Sequence, residues 1–514
     1  MSLVRYFVTI SGFTAMSRVL GFIRDMLLAA FLAAGPVADA FFIAFKLPNL
    51  FRRLFAEGAF NAAFVPLFSE TLEREGKPAA VLYARRVMGV LLWSLLVFTI
   101  LIELTMPWVM AGFAPGFLDD PEKFDLAVLY TRITFPYLLF ISLVSLAAGV
   151  LNSLRRFAAA AATPILLNLC LIAAILGLAR FTPTPGHALA VGVFVAGIVQ
   201  LAWLLWHAAK AGAALMPARP VWDDAVKRTV KRILPGAVGA GVYQINLVVD
   251  MVLASLLPTG AISYLYYADR VTQLPLGVVG VAVGTALLPV LSRHLAAGDG
   301  AAAMNSQNRS LEFALLLTVP AAVALAIIAD PVVRVLFQRV NFGPEETAAT
   351  AAALAAYAVG LPAFVLNKAL TPGFFARGDT VTPVKAAAAA MGVNLIFNLI
   401  LMGPFQHVGI AAASTIAAWT NSAVLWWLLH KREALVVDAR LAARLPRICI
   451  AAGIMGLVLW FAIPGLGPWL HGPELTRALA LAALIAVGLA AYGGAVLVLK
   501  AATLGEFKSS LRRR

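Results

Sequence analysis

Charged residues are scarce in this chain. Lys, Arg, Asp and Glu together make up 13% of the 514 residues, whereas 62% are hydrophobic and the mean hydropathy is +0.90. This composition excludes an ordinary soluble domain, in which about a quarter of the residues are charged. The apolar stretches lack the ten-residue alternation of an outer-membrane barrel, so helices are expected to satisfy the backbone in the bilayer.

Cysteine and the residues of catalytic clusters are also sparse. The two cysteines, Cys170 and Cys449, each lie in an apolar stretch, which provides neither a disulfide framework nor metal-ligand spacing. The six histidines form no close cluster with carboxylates, and no phosphate-binding glycine loop is present. The sequence therefore predicts neither a metalloenzyme nor an ATP-driven pump. It favours a secondary transporter that has no enzymatic activity and no cofactor.

The chain consists of apolar blocks between charged or Pro/Gly-rich breaks, and these blocks have the length of transmembrane helices, about 20 residues. The fourteen expected spans are 6–33, 38–68, 82–111, 126–152, 160–180, 188–209, 234–257, 263–292, 310–337, 347–374, 384–403, 408–430, 446–464 and 476–499. Arg18, Arg24 and Asp25 interrupt the first block, so it predicts a retained helix rather than a cleaved signal peptide.

Basic residues concentrate in alternate connections, whereas the intervening ones hold little more than Lys123, Arg180 and Arg339. By the positive-inside rule the basic connections are cytoplasmic, which places both termini in the cytoplasm. Because the net charge of +15 is spread over short loops, it indicates contact with membrane lipids and no nucleic-acid partner. Residues 221–232 alternate apolar and basic side chains, which is typical of an amphipathic linker on anionic lipid, although a plain solvated linker explains them equally well.

An internal repeat divides the chain. Residues 63–70 (AFVPLFSE) return as residues 286–293 (ALLPVLSR), a shift of 223 positions, and Trp203 returns as Trp426 at the same shift. Because the offset contains an even number of spans, the copies share one orientation, as in transporters whose two bundles rock around a common site. The predicted all-α polytopic membrane fold has an N-lobe of six helices at 1–215, a cytoplasmic amphipathic linker at 216–233, a C-lobe of six helices at 234–432, and a C-terminal helix pair with a basic tail at 433–514.

Ionisable residues lie at membrane depth in the first two blocks and in the eighth. They are Arg18, Arg24, Asp25, Asp39, Lys46, Arg52, Arg53 and Glu57, followed in the second repeat by Asp269 and Arg270. A charge at a helix centre costs about 2.5–3.5 kcal/mol, so these side chains must face a wet cavity or partners. Guanidinium groups match phosphate oxygens, so the excess of cations predicts a phosphate or diphosphate ligand. The alternative is that the arginines pair with the carboxylates at positions 25, 39 and 57 as structural bridges.

A second polar group suits a monovalent cation. Asp250 lies in the middle of the seventh block, and Asn394 and Asn398 are four residues apart on one helix face. A carboxylate with amide oxygens fits a sodium ion, and Asp250 alone can carry a proton. A carboxylate that is hydrogen-bonded to neighbouring helices is an equally good explanation.

Several segments resemble the signature of the MurJ/MviN family. They are residues 17–25 (SRVLGFIRD), 39–42 (DAFF), 45–60 (FKLPNLFRRLFAEGAF), 267–270 (YADR), 280–285 (GVAVGT) and 375–377 (FAR). One departure precedes Asp39, where Ala38 replaces the threonine often seen and Pro36 enters the turn. The resemblance covers essentially the whole chain.

The resemblance implies a fold of the multidrug/oligosaccharidyl-lipid/polysaccharide exporter superfamily, with a groove for a prenyl tail in the last two helices. It also implies a flippase that carries lipid II, the undecaprenyl-diphosphate-linked peptidoglycan precursor, to the outer face of the bacterial inner membrane by alternating access. Matched by motif, the headgroup contacts would be Arg18, Arg24, Arg52, Arg53 and Arg270, and the supporting or gating residues Asp25, Asp39, Lys46, Glu57 and Asp269. Membrane potential or a cation at Asp250 would reset the cycle, and other cell-wall synthesis proteins are candidate partners.

Two other function classes stay open at this point. A cation-coupled drug exporter of the same superfamily would need acidic or aromatic cavity residues rather than clustered arginines. A membrane glycosyltransferase would need an exposed catalytic carboxylate or a metal cluster in a loop. The dense acidic candidates for it are Asp119, Asp120, Glu122 and Asp125, which are more simply a solvated loop.

Overall fold

The computed structural model describes residues 3–55 and 59–502, and no β-strand occurs within these ranges. The α-helices, in chain order, are α1 (Leu3–Leu32), α2 (Pro36–Phe55), α3 (Ala59–Arg74), α4 (Lys77–Leu104), α5 (Met106–Phe113), α6 (Pro121–Thr134), α7 (Tyr137–Ser153), α8 (Phe157–Gly177), α9 (Pro185–Lys210), α10 (Asp224–Ser255), α11 (Ala261–Pro275), α12 (Val281–Ala296), α13 (Gly300–Ile327), α14 (Ala329–Phe337), α15 (Pro344–Phe375), α16 (Val381–Lys431), α17 (Ala439–Leu470) and α18 (Glu474–Val498). Short 3₁₀ turns occupy Pro115–Asp119 and Ala179–Phe181, and a π-helical segment occupies Leu276–Gly280.

The helices agree with the expected spans, and the all-α polytopic membrane class is confirmed. Within the described ranges, nine helical stretches are long and apolar enough to cross a membrane, and they cover ten of the fourteen expected spans. The other four, the first, second, seventh and eighth, are those that carry the charged residues predicted to form the site. The fourteen-helix count is consistent with this helix order.

The chain forms two compact units. The first consists of Met1–Ser263 with Val340–Phe342, and the second of Tyr264–Arg339 with Gly343–Arg514. The lobe and linker boundaries derived from the repeat stay predictions.

In the first unit, α1 packs against α8, both α7 and α8 pack against α9, and α2 packs against α6. Aromatic side chains fill this core, and Phe41, Phe64 and Tyr130 are almost fully buried. Helix α6 begins where it does because the carboxylate of Asp120 caps it, accepting from the backbone N–H of Lys123 at 3.2 Å. This cap fixes Lys123 in the first turn of α6.

The predicted linker lies along α4. The Ala218 N–H donates to the Arg85 carbonyl at 3.3 Å, and Arg86 forms an ion pair of 2.7 Å with Asp223. Asp223 also caps α10, so residues 224–233 are helical and continue directly into that helix. The basic, amphipathic part of the linker is therefore the beginning of α10, and its contact with anionic lipid stays a prediction.

In the second unit, α15 packs against α13 and α16, and α17 packs against α13 and α18. Leu311, Leu370, Phe374 and Leu429 lie in its buried apolar core. The C-terminal helix pair thus belongs to the same compact unit as α13 to α16.

Asp379 organises the turn before α16. Its carboxylate accepts from the Thr382 hydroxyl and from Arg432, each at 2.6 Å, and these donors hold the pKa of Asp379 well below its ordinary value because they favour the ionised form. A straight helix of 51 residues would separate its ends by about 75 Å, so this contact requires a reversal. The reversal lies at Gln406 (φ 48°, ψ −129°), which divides α16 into the two expected spans.

Candidate functional site

Arg24 is held by two side chains inside the first unit. It lies on α1 and is 7% exposed, and its Nε and Nη2 donate to Asp25 Oδ1 at 3.0 and 2.7 Å. Its Nη1 donates to Asn168 Oδ1 on α8 at 2.9 Å, and Asn168 Nδ2 in turn donates to the Ser17 carbonyl at 3.0 Å. Asn168 therefore orients the guanidinium and ties α8 to α1, a role that sequence reasoning did not assign to it.

The other residues expected near Arg24 are less enclosed. Arg18, Lys46 and Arg53 are exposed on the surface of the unit. Arg52 is half-buried, and its Nε donates to Asn49 Oδ1 at 3.1 Å. Glu57 lies outside the described residues. Arg24 and Asp25 are thus paired with each other. This pairing agrees, for Arg24, with the alternative in which the arginines form structural bridges to the carboxylates.

Asp39 is a buried carboxylate surrounded by donors. It is 1% exposed and accepts from Lys123 Nζ at 3.1 Å, from the Gly260 N–H at 2.7 Å, and from the N–H and hydroxyl of Ser263 at 3.0 and 2.6 Å. Lys123 Nζ also lies 3.3 Å from Thr259 Oγ1. These hydrogen bonds offset the desolvation of a buried ion pair.

This group, which we call the Asp39 latch, consists of Asp39, Lys123 and residues 259–263. It connects the start of α2 with the first turn of α6 and with the segment that follows α10. The partner of Asp39 here is Lys123, and not one of the arginines that the pairing alternative considered. The only sequence signal for Lys123 was that it is a rare cation in a connection expected outside the cell.

In the second unit, Arg270 is oriented on α11 and accessible. Its Cζ lies 4.8 Å from the centroid of the Tyr266 ring, and its Nη2 lies 3.7 Å from Asp269 Oδ2. The side chains of Arg270 and Asp269 are 37% and 41% exposed. Ring stacking restricts the guanidinium, and a weak exposed pair leaves it able to exchange one anion for another. This arrangement suits contact with a phosphate, which stays a prediction.

The two asparagines of the predicted cation site share a buried face of α16. Asn398 Nδ2 donates to Asn394 Oδ1 at 2.9 Å, and the residues are 0% and 1% exposed. Asn394 Nδ2 lies 3.5 Å from Ser414 Oγ. Asp250 is half-buried on α10, in the first unit. Cation binding by Asp250 and these amides stays a prediction. In the part of the chain that the structure describes, no three His, Cys, Asp or Glu residues are grouped to hold a metal ion.

Comparison with protein families and curated proteins gives one consistent result. Residues 28–479 match a family model described as lipid II flippase MurJ. A relative from Rhizobium meliloti, named probable lipid II flippase MurJ, is 47% identical over 521 residues, which cover 100% of this chain and 97% of the relative. A relative from Burkholderia cenocepacia, named lipid II flippase MurJ, is 36% identical over 504 residues, covering 97% of this chain and 98% of the relative.

Solved structures show the same similarity. A lipid II flippase MurJ in an inward closed conformation matches with a TM-score of 0.79 at 25% identity, over 95% of this chain and 98% of that one. A multidrug resistance MATE family transporter of the MOP superfamily, in an inward-facing conformation, matches with a TM-score of 0.64 at 15% identity, over 81% of this chain and 94% of that one. At this lower identity the likeness concerns the fold alone.

Proposed function

This chain belongs to the lipid II flippase MurJ family, and on that premise we propose that it moves lipid II from the cytoplasmic to the periplasmic face of the bacterial inner membrane for cell-wall biosynthesis. It is a multi-pass membrane protein of all-α fold. The observation that carries the proposal is the 47% identity, over the whole chain, to a protein named probable lipid II flippase MurJ. The lipid is moved without chemical change, so we propose a transporter and not an enzyme.

The proposed orientation has both termini in the cytoplasm. Its support is the concentration of Lys and Arg in alternate connections, because such connections are retained on the cytoplasmic side. Lipid II would then enter from the side of the basic connections and leave on the side where Lys123 lies. Other cell-wall synthesis proteins are proposed as partners, since enzymes must supply lipid II on one face and consume it on the other.

The proposed headgroup contacts are the guanidinium groups of Arg18, Arg24, Arg52, Arg53 and Arg270. Arg24 and Arg270 each have a carboxylate beside the guanidinium, at 2.7 and 3.7 Å, so an incoming diphosphate replaces or supplements one anion with another. This exchange limits the desolvation penalty, because the cation never lacks a counter-charge. Alternating access then exposes the bound headgroup on the other face while the prenyl tail stays in lipid.

The proposed role of the Asp39 latch is to gate this cycle. Its two charged members are 1% and 4% exposed and fully engaged with each other and with residues 259–263, which leaves them poorly placed for direct contact with substrate. A buried pair with this many hydrogen bonds holds one arrangement of the connection from α10 into the first turn of α11. Breaking it releases that segment.

For resetting the transporter, we propose coupling to membrane potential or to a monovalent cation. A potential of 100 mV supplies about 2.3 kcal/mol per elementary charge. We expect Asp250→Ala to weaken any dependence of lipid II transport on sodium or on voltage, because it removes the carboxylate that lies within the apolar part of α10. Proteoliposomes with imposed sodium gradients and potentials measure both. If transport by the variant depends on sodium and on voltage as the wild type does, Asp250 has a purely structural role.

The central test is lipid II transport by the purified full chain in proteoliposomes, measured as the appearance of labelled headgroup at the opposite face. We expect the wild-type chain to accelerate transport and Arg270→Ala to slow it about ten- to hundredfold. A charge-assisted hydrogen bond contributes about 1.5–3 kcal/mol, and 1.4 kcal/mol is a factor of ten. Folded stability should change little, because the pair with Asp269 is exposed.

Arg339→Ala provides a matched control. Its Nε lies 3.6 Å from Glu474 and its side chain is 28% exposed, close to the values for Arg270, but it is not among the predicted site residues. Transport by this variant should equal that of the wild type. Absence of transport by the wild-type chain would overturn the proposed function, whereas normal transport by Arg270→Ala would overturn only the role of this arginine.

A further inference from the structure

Lys368 lies on the face of α15 that packs against Gly280 and Gly284. The lysine is inside the apolar helix Pro344–Phe375, which is long enough to cross the membrane. A Cβ placed on Gly284 of α12 would lie 3.7 Å from Lys368 Cβ, and a Cβ placed on Gly280 would lie 3.0 Å from Cδ and 3.3 Å from Nζ. The stem of the lysine therefore runs along a glycine face, from Gly284 towards Gly280.

The side chain of Lys368 extends away from the C-terminal end of α15, which is the nearer end of that helix. Helix α15 ends at Phe375, seven residues after Lys368, which is about 10 Å along the axis. The ends of α12 and α15 pack on one apolar cluster, so the two helices run the same way and Gly280 lies deeper than Gly284. Gly280 precedes Gly284 by four residues, so the ammonium lies about 6 Å further from the end of α15 than the Cβ of Lys368 does. A snorkelling lysine would turn in the opposite direction, towards the interface.

The charge at this depth requires an anion or water. Among the residues that the structure describes, Lys368 has no ion pair with a carboxylate. An ammonium facing hydrocarbon is strongly disfavoured. The adjoining backbone is the π-helical segment Leu276–Gly280, a type of irregularity that often accompanies functional positions. The glycine face and this segment together make room for the cation without providing its counter-charge.

We propose that Lys368 binds the phosphate of the lipid-linked substrate, an inference that rests on the proposed function. Arg270 precedes Gly280 by ten residues on the same predicted span, so the two cations are about 15 Å apart along it. Lys368 lies on the side of α12 that leads to a connection expected in the cytoplasm, and Arg270 lies further across. The diphosphate meets the compact, freely rotating charge of the lysine first and the forked guanidinium second.

Binding of lipid II to the purified full chain in detergent tests this assignment. Lys368→Met and Lys368→Gln should each weaken lipid II binding at least tenfold, while Lys368→Arg keeps part of the affinity. Lys385→Met, which removes an exposed lysine near the start of α16, should bind as the wild type does. Thermal unfolding of each variant shows whether it is folded.

Gly280→Ala tests the position of the lysine independently. The backbone of Gly280 is ordinary helix (φ −67°, ψ −37°), so alanine is locally favoured. Its tight contacts would be with Lys368, at 3.0 Å from Cδ and 3.3 Å from Nζ, and with Leu276 Cδ1 at 3.4 Å. We expect the substitution to weaken lipid II binding several-fold in the wild-type background and to have no further effect in Lys368→Met. Equal losses in both backgrounds would show that Gly280 acts by another route and would overturn the inference.

Phospholipid headgroups are the other source of phosphate at this depth, and a separate experiment distinguishes them from lipid II. Binding of phosphatidylglycerol is measured on the same variants. If Lys368→Met loses phosphatidylglycerol but binds lipid II with unchanged affinity, the site belongs to bulk lipid and the inference fails, although the proposed function stands. If the wild-type chain neither binds nor transports lipid II, the proposed function itself fails.

Discussion

Substitution of Asp39 by alanine is expected to destabilise the folded protein by about 3–5 kcal/mol, because it leaves the buried ammonium of Lys123 without its carboxylate. The change also removes the acceptor of the Gly260 and Ser263 N–H groups. Lipid II transport in proteoliposomes should fall to background, since residues 259–263 are then no longer fixed to α2. Thermal unfolding of the purified full chain measures the stability loss separately from transport.

A double-mutant cycle identifies the ion pair as the cause. Asp39→Asn and Lys123→Gln each remove one charge while keeping the approximate shape of the side chain. Together they should cost less than the sum of the single changes, with a coupling free energy of about 0.5–3 kcal/mol. Asp119→Asn, in the exposed turn before α6, is the control and should change neither stability nor transport. A coupling near zero would contradict the latch.

The membrane class and the positions of the helices could be derived from the sequence because every span must satisfy its own backbone in lipid. The break in α16 was also visible, since Gly403 and Pro404 interrupt the apolar pattern close to the reversal at Gln406. The break between α6 and α7 was not, because the residues around Pro136 stay apolar throughout. Hydropathy detects where a chain leaves the membrane and says little about where a helix is interrupted within it.

In the candidate site, only contacts between residues that are close in sequence could be predicted. Arg24 and Asp25 are neighbours in sequence, and their pairing was considered as an alternative. The contact between Asp39 and Lys123 joins residues 84 positions apart, and no periodicity in one sequence reveals it. Lys368 was not among the predicted site residues, although the sequence contained a signal for it. A lone lysine within a long apolar block is a costly charge and therefore marks a candidate functional residue.

Replacement of Arg24 by alanine is expected to slow lipid II transport about a hundredfold, which leaves a measurable residue, and to destabilise the fold. The change removes the two hydrogen bonds to Asp25, a carboxylate that is 4% exposed, and the bond to Asn168. Breaking a buried pair of this kind costs about 3–5 kcal/mol. Arg24→Lys should restore little, because one ammonium cannot reproduce the planar fork that reaches Asp25 and Asn168 together. Thermal unfolding and proteoliposome transport measure the two effects.

Asn168→Leu separates orientation of the guanidinium from its charge. Arg24 and Asp25 remain paired in this variant, but the Nη1 bond and the tie to the Ser17 carbonyl are lost, at a cost of about 1–3 kcal/mol. If Asn168 acts by aiming the arginine, transport should fall several-fold in Asn168→Leu, and the residual transport of Arg24→Ala should not fall further when the two changes are combined. A further fall in the double variant would mean that the amide serves the packing of α8 on α1 and not the arginine.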